Sequence, residues 1–162
     1  MSTRIPQDPT ELRAWRDATL YRLTLRASRA ERVATLEGLH ERGYADVTLT
    51  DTTLLANLDN EGMTISALAR KSGTTRQAAS QQVAQLEREG YVVREPDIAD
   101  ARALKVMRTK KGQALLSEAL EIVAGLEADY TRVLGRRGMG DLKSLLKALL
   151  EEIDPEGALG SQ

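Results

Sequence analysis

The stretch Thr75-Arg76-Gln77-Ala78-Ala79-Ser80-Gln81 sets five hydrogen-bonding side chains, Thr75, Arg76, Gln77, Ser80 and Gln81, within seven residues. The chemistry these types offer is edge recognition. In a DNA major groove an arginine matches the two acceptors of guanine, and a glutamine matches the donor and acceptor of adenine. Arg76, Ser80, Ala84 and Arg88 recur every four residues and share one face of a helix, with Gln77 and Gln81 beside them. Ala79, Val83 and Leu86 form the opposite, apolar stripe. A merely solvated helix would mix Glu with Lys, whereas this face carries almost no acid.

A second constellation follows. Val92-Val93-Arg94-Glu95 and Ala103-Leu104-Lys105-Val106 are β-leaning runs around a Pro/Asp-containing insert, which predicts a hairpin with a loop longer than a tight turn requires. Arg102, where the loop rejoins the second strand, sits on a projecting arm from which a long cation reaches phosphate or a narrow minor groove. Asp100 restrains the loop or pairs with a neighbouring arginine. An Asp100–Arg102 pair without any DNA contact is the plainer account, because i and i+2 share a face of a strand. Lys71, Arg94 and Lys105 join as phosphate candidates on charge. Residues 64–111 hold ten Lys/Arg against five Asp/Glu, residues 43–63 four acids and no base, and residues 112–162 nine acids against five bases. A basic middle in a chain of net charge −1 suggests a polyanion partner for that segment.

Other chemistries are poorly served. There is no Cys, so disulfides, thiolate metal sites and thiol redox sensing are excluded. His40 is the single histidine, and no His-Glu-x-x-His or Ser-His-Asp context is present. Gly135–Gly140 lacks the Gly-Lys-Ser/Thr of a phosphate loop and reads as a helix break. No enzyme activity, no cofactor and no metal site is expected. The N-terminus has no apolar run, and charges interrupt every apolar stretch, so a soluble, cytoplasmic protein with no membrane contact is expected.

These side chains need elements to hold them. Asp8-Pro9-Thr10-Glu11 is a helix start, and apolar residues at 12, 15, 20, 23, 27, 30, 33 and 36 continue it as one helix. Gly38 and Gly43 bracket a short second helix, and Thr50 caps a third that runs to about Leu58. Ile65–Lys71 is a short helix stopped by Ser72-Gly73, and the next runs to Glu89, capped by Thr74 or Thr75 and ended by Gly90. Two helices joined by a short Gly-containing turn have the form of a helix-turn-helix. Thr109 caps a long helix that Gly135–Gly140 breaks, and Leu142, Leu145, Leu146, Leu149, Leu150 and Ile153 mark a last amphipathic helix. With no Phe and five other aromatics, leucine must fill the core. The predicted fold is mainly α with a small β-wing. Residues 1–42 and 113–162 are assigned to dimerisation and 43–112 to the DNA-binding lobe. The first and last helices are too apolar on one face for water, which predicts a homodimer. Packing against each other within one chain is the alternative.

In this order and spacing the chain resembles the MarR family of bacterial winged-helix regulators, over about residues 10 to 153. The carrying residues are Arg42-Gly43-Tyr44, Leu68-Ala69, Thr75-Arg76-Gln77, Leu86-Glu87, Gly90-Tyr91-Val92, Asp100-Ala101-Arg102, and Thr109 with Gly112. The resemblance implies a dimer placing two recognition helices in successive major grooves of a pseudo-palindromic operator. Thr75, Arg76, Gln77, Ser80 and Gln81 would then face DNA, with Arg102 as the wing arginine. It implies a repressor released by a small aromatic or phenolic effector bound between the dimerisation helices and the winged lobe. Trp15, Tyr21, His40 and Tyr44 are the candidate pocket residues. Gln81 stands where the family often has a basic residue, so base preference is not inherited. Leu55, where urate-type relatives need a carboxylate, argues against urate. The rival reading is a winged-helix module for protein–protein assembly, without sequence-specific DNA binding.

Overall fold

The computed structural model describes residues 5–97 and 104–154. Six helices and three strands follow in order: α1 (Pro9–Asp17), α2 (Leu20–Glu41), α3 (Leu49–Asn57), β1 (Met63–Thr64), α4 (Ile65–Lys71), α5 (Arg76–Arg88), β2 (Val92–Pro96), β3 (Leu104–Arg108) and α6 (Lys110–Ile153). The mainly helical fold with a small β-wing is as expected, but several boundaries move.

The predicted first helix is two. Thr19 interrupts it by capping α2, its hydroxyl accepting from Arg22 N at 3.3 Å. Conversely, Gly38 does not end a helix. A Cβ there would lie 3.0 Å from Ile122 Cδ1, so glycine serves the close approach of α2 to α6. The cap of α3 lies two residues before the expected Thr50, because Thr48-x-x-Asp51 forms a reciprocal capping box. Thr75, rather than Thr74, caps α5.

The sheet has three strands in the order β1-β3-β2, so the wing hairpin gains a partner that periodicity did not show. Val93 faces Met107 and Arg94 faces Val106 across β2 and β3, and Met63 pairs with Val106 from the other side. Leu39, Leu54, Leu55, Leu68, Val83, Leu86, Tyr91, Val106 and Leu115 are all at most 1% exposed and form one core under the helix-turn-helix. Truncating one such leucine to alanine costs roughly 2–5 kcal/mol. Arg108 ties the wing to this core: its guanidinium donates to the carbonyls of Leu55 and Leu58, to Asn60 Oδ1 and to Gln113 Oε1.

Helix α6 is broken at Gly135, whose φ of 73° and ψ of 158° are not helical. Lys143 Nζ then reaches Glu127 Oε1 at 2.5 Å. Sixteen residues of straight helix would separate those groups by about 24 Å, so the C-terminal arm turns back. It leaves Val133, Leu142, Leu145, Leu149, Leu150 and Ile153 exposed, as Leu12, Leu20, Tyr21, Leu23 and Leu25 are at the other end of the chain.

Candidate nucleic-acid interface and ligand cavity

Three sets of contacts aim helix α5. Thr75 Oγ1 accepts from Ala78 N at 3.1 Å and fixes the first turn. Ala79, Val83 and Leu86 are fully buried against the core. Gln82 Nε2 donates to Asp51 Oδ1 at 3.3 Å. Asp51, 2% exposed, spends its other oxygen on Thr48 N and Thr48 Oγ1, at 2.9 and 2.5 Å. A buried carboxylate is tolerable when its lone pairs are occupied, and here three donors occupy them. With that side held, Arg76, Gln77 and Gln81 are exposed on the other and Ser80 is half-buried. Among the described residues none of these four side chains has an intramolecular hydrogen bond or ion pair. The helix therefore presents free donors and acceptors beside its positive N-terminal end.

The phosphate candidates chosen on charge are differently placed. Lys71 pairs with Asp59 at 2.7 Å, Arg94 with Glu87 at 3.5 Å and Lys105 with Asp97 at 3.3 Å. Arg94 also keeps Nε and one Nη buried with no acceptor. Arg102 and Asp100 lie outside the described residues. The base of the wing is pinned where Tyr91 Oη donates to Asp46 at 2.8 Å and Lys111 Nζ sits 3.9 Å over the Tyr91 ring. Lys111 also pairs with Asp46 at 3.6 Å. Burial, and then the Asp46 bond, push the Tyr91 hydroxyl well above the usual tyrosine range. Burial pushes the Asp46 carboxyl up, but the Tyr91 bond and Lys111 outweigh it and leave the carboxyl below its usual value.

Trp15, Tyr21, His40 and Tyr44 are not brought together within one chain. Tyr21 is 70% exposed near the start of α2. His40, nineteen residues along the same helix and so about 28 Å away, bonds Val47 O through Nε2 at 2.8 Å. Since a carbonyl only accepts, that nitrogen carries the proton. Tyr44 leans on Tyr91 with ring centroids 6.5 Å apart, and Trp15 is half-buried on α1. A cavity of about 340 Å³ lies elsewhere, between α2, α3 and α6. Ser28, Glu31, Arg32, Thr35, Thr52, Thr53 and Asn57 supply its polar wall, and Leu116, Ala119, Leu120 and Val123 its apolar one. None of the four aromatic or imidazole candidates borders it.

Sequence reasoning missed this cavity because its residues come from three separate elements. Two cavity residues also touch neighbours that matter: Arg32 donates to Thr53 Oγ1 at 3.0 Å, and Asn57 Nδ2 to Ser72 Oγ at 3.3 Å. Ser72 caps α4 in the turn that leads to α5. No described helix is long and apolar enough to cross a membrane.

A helix-turn-helix flanked by a three-stranded wing defines the winged-helix class. Within it, the sequence profile of the MarR family matches residues 45–103. The transcriptional activatory protein BadR of Rhodopseudomonas palustris is 30% identical over 125 residues, 76% of this chain and 67% of BadR. The chain belongs to the MarR family of transcriptional regulators. Two solved structures at 28% identity share the fold. The repressor CouR, on a 23-mer DNA duplex, has a TM-score of 0.65 over 81% of this chain and 92% of its own. A MarR family protein of Mycobacterium tuberculosis, in complex with salicylic acid, has a TM-score of 0.63 over 82% of this chain and 97% of its own.

Proposed function

We propose that the chain is a sequence-specific reader of double-stranded DNA that binds a pseudo-palindromic operator as a homodimer and responds to a small organic ligand. The observation that carries this is the exposed, acid-free face of α5, whose Arg76, Gln77 and Gln81 have no intramolecular partner among the described residues while the opposite face is locked to the core. CouR, seen on DNA, supports the partner class. Residues 43–112 form the reading lobe. The apolar residues exposed at both ends of the chain, from Leu12 to Leu25 and from Val133 to Ile153, support dimerisation by residues 1–42 and 113–162.

Thr75, Arg76, Gln77, Ser80 and Gln81 face the major groove, and Arg102 approaches from the wing. Lys71, Arg94 and Lys105 contact phosphate only by exchanging a carboxylate for it, so their contribution is smaller. The cavity between α2, α3 and α6 takes the ligand, and salicylic acid on the mycobacterial relative supports a small acid. A ligand there displaces α3, which is bonded to the recognition helix through Asp51–Gln82 and to the preceding turn through Asn57–Ser72. The expected output is repression by promoter occlusion, relieved by ligand. BadR is named an activator, so operator position sets the sign.

Selection of bound duplexes from a random DNA pool, at two salt concentrations, tests the reading. A palindrome with half-site centres about one helical turn apart, roughly 10–10.5 base pairs, is expected. No enrichment at either salt would remove sequence reading and favour a protein-assembly role.

A further inference from the structure

We infer that Arg32, Thr50, Ser72, Thr74 and Gln82 form a site for a phosphate group at the helix-turn-helix, and that a backbone phosphate of bound DNA fills it. The second half of this rests on the reading of α5 as a DNA-binding helix. With Thr53 and Leu54, these residues line a pocket of about 210 Å³ between α2, α3, the α4–α5 turn and α5. That is below the roughly 300–1,000 Å³ of sites for organic ligands. Among the described residues Leu54 is the one apolar member of its wall. An aromatic acid finds almost nothing there to pack on, whereas a small oxyanion needs only donors.

The donors of this pocket are unspent. Arg32 has no carboxylate partner among the described residues and is aimed by Thr53 Oγ1, which accepts from it at 3.0 Å. Thr53 gives its own proton to Leu49 O at 2.9 Å, so it serves Arg32 rather than an occupant. The hydroxyls of Thr50 and Thr74 have no intramolecular partner among the described residues. Ser72 Oγ accepts from Asn57 and keeps its proton, and Gln82 spends one amide proton on Asp51 and keeps the other. Among the described residues no carboxylate lines the pocket. Asp51, behind Gln82, already has its lone pairs occupied by Thr48 and Gln82. Thr50 stands in the first turn of α3, where the positive end of the helix adds to the guanidinium. Arginine, serine, threonine and glutamine are the side chains that hold backbone phosphates and set a protein's register on a duplex. Ser72 and Thr74 lead directly to Thr75, the cap of α5. A phosphate held there flanks the bases that Arg76 and Gln77 face. Lys71, Arg94 and Lys105 are each paired with a carboxylate, so Arg32 is the better cation for the backbone beside this turn.

Single methylphosphonates, each removing one backbone charge, placed in turn across one half-site of the selected operator test the DNA source. Fluorescence anisotropy of the full chain should show one position that costs the wild type about tenfold in affinity, as loss of a charge-assisted bond does. The same position should cost Arg32→Ala nothing further, and Thr74→Val less than the wild type. Thr74 does not border the α2–α3–α6 cavity, so its variant leaves that cavity intact. Isothermal titration with inorganic phosphate, exchanged for chloride at constant ionic strength, tests the pocket without DNA. Phosphate binding that Thr74→Val weakens, together with methylphosphonate losses that simply add to Arg32→Ala at every position, would keep the phosphate site and overturn its DNA occupant. Additive losses with no phosphate binding would overturn the proposal entirely. If the selection yields no operator, the DNA reading fails, and the phosphate titration still decides the pocket.

Discussion

The recognition helix divides labour between its two faces residue by residue. Gln82 looks inward to a buried carboxylate, and its neighbour Gln81 is free in water. Gln77→Ala should therefore relax base preference at one position per half-site, with a loss of about 1–3 kcal/mol of discrimination. Repeating the selection with the variant reads this directly, and an unaltered motif would remove Gln77 from the base readers. Arg102→Ala should weaken binding on nearly all sequences alike, as loss of a backbone or minor-groove cation does. Tyr91→Phe keeps the ring under Lys111 but deletes the bond to Asp46, at about 0.5–1.5 kcal/mol. The pH dependence has two limbs. A lowered Asp46 carboxyl stabilises the fold above the unfolded carboxylate range, near 4, and that contribution fades as pH falls through the folded value. A raised Tyr91 hydroxyl stabilises below the unfolded tyrosine range, near 10, and is lost as pH rises beyond it. Thermal melts across pH should show the wild type and Tyr91→Phe converging at both extremes and separated at neutrality.

At the level of elements, two junctions leave no room for change. Gly112, in the first turn of α6, lies against the wing base, and a Cβ there would stand 2.1 Å from the Tyr91 carbonyl oxygen. Gly112→Ala must push α6 off the wing, and overpacking of this kind costs about 1–3 kcal/mol, a fall in Tm of several degrees that calorimetry measures. The α4–α5 turn is the other junction. Ser72→Ala removes the acceptor of the wall residue Asn57 without replacing any residue that lines the cavity. It should weaken operator binding severalfold and blunt the response to salicylate, measured by fluorescence anisotropy. An unchanged response would move the coupling to Asp51–Gln82. Much of this layer was legible beforehand. The α4–turn–α5 unit, the wing runs and the Thr109 cap each follow from a local rule about capping, alternation or turn residues. What misled was equally local: Gly38 looks like a helix stop until Ile122 is seen beside it.

For the whole molecule, charge segregation and exposed apolar ends matter more than any one contact. A net charge of −1 gives no long-range pull toward DNA, so binding must come from the local basic segment and be steeply salt-dependent. With roughly 6–10 phosphate contacts per dimer, affinity should drop about 10³–10⁵-fold between 50 and 200 mM salt. A flat salt profile would instead favour docking onto protein. Glutamate at both Leu145 and Leu149, which are 72% and 38% exposed in the single chain, should give monomers in light scattering and abolish operator binding together.

By itself the chain's order of residues determined the type of most elements, though not strand β1, together with the inward stripe of α5 and the outward set of Arg, Gln, Ser and Gln, because helical periodicity is a property of neighbours in sequence. Only the tertiary structure decided which charges are free. Lys71, Arg94 and Lys105 look like Arg76 in sequence, yet each has a carboxylate brought to it by folding. The cavity between α2, α3 and α6 belongs to the same category. It is space left between α2, α3 and α6, and a void has no sequence of its own: its walls are set by how three helices pack.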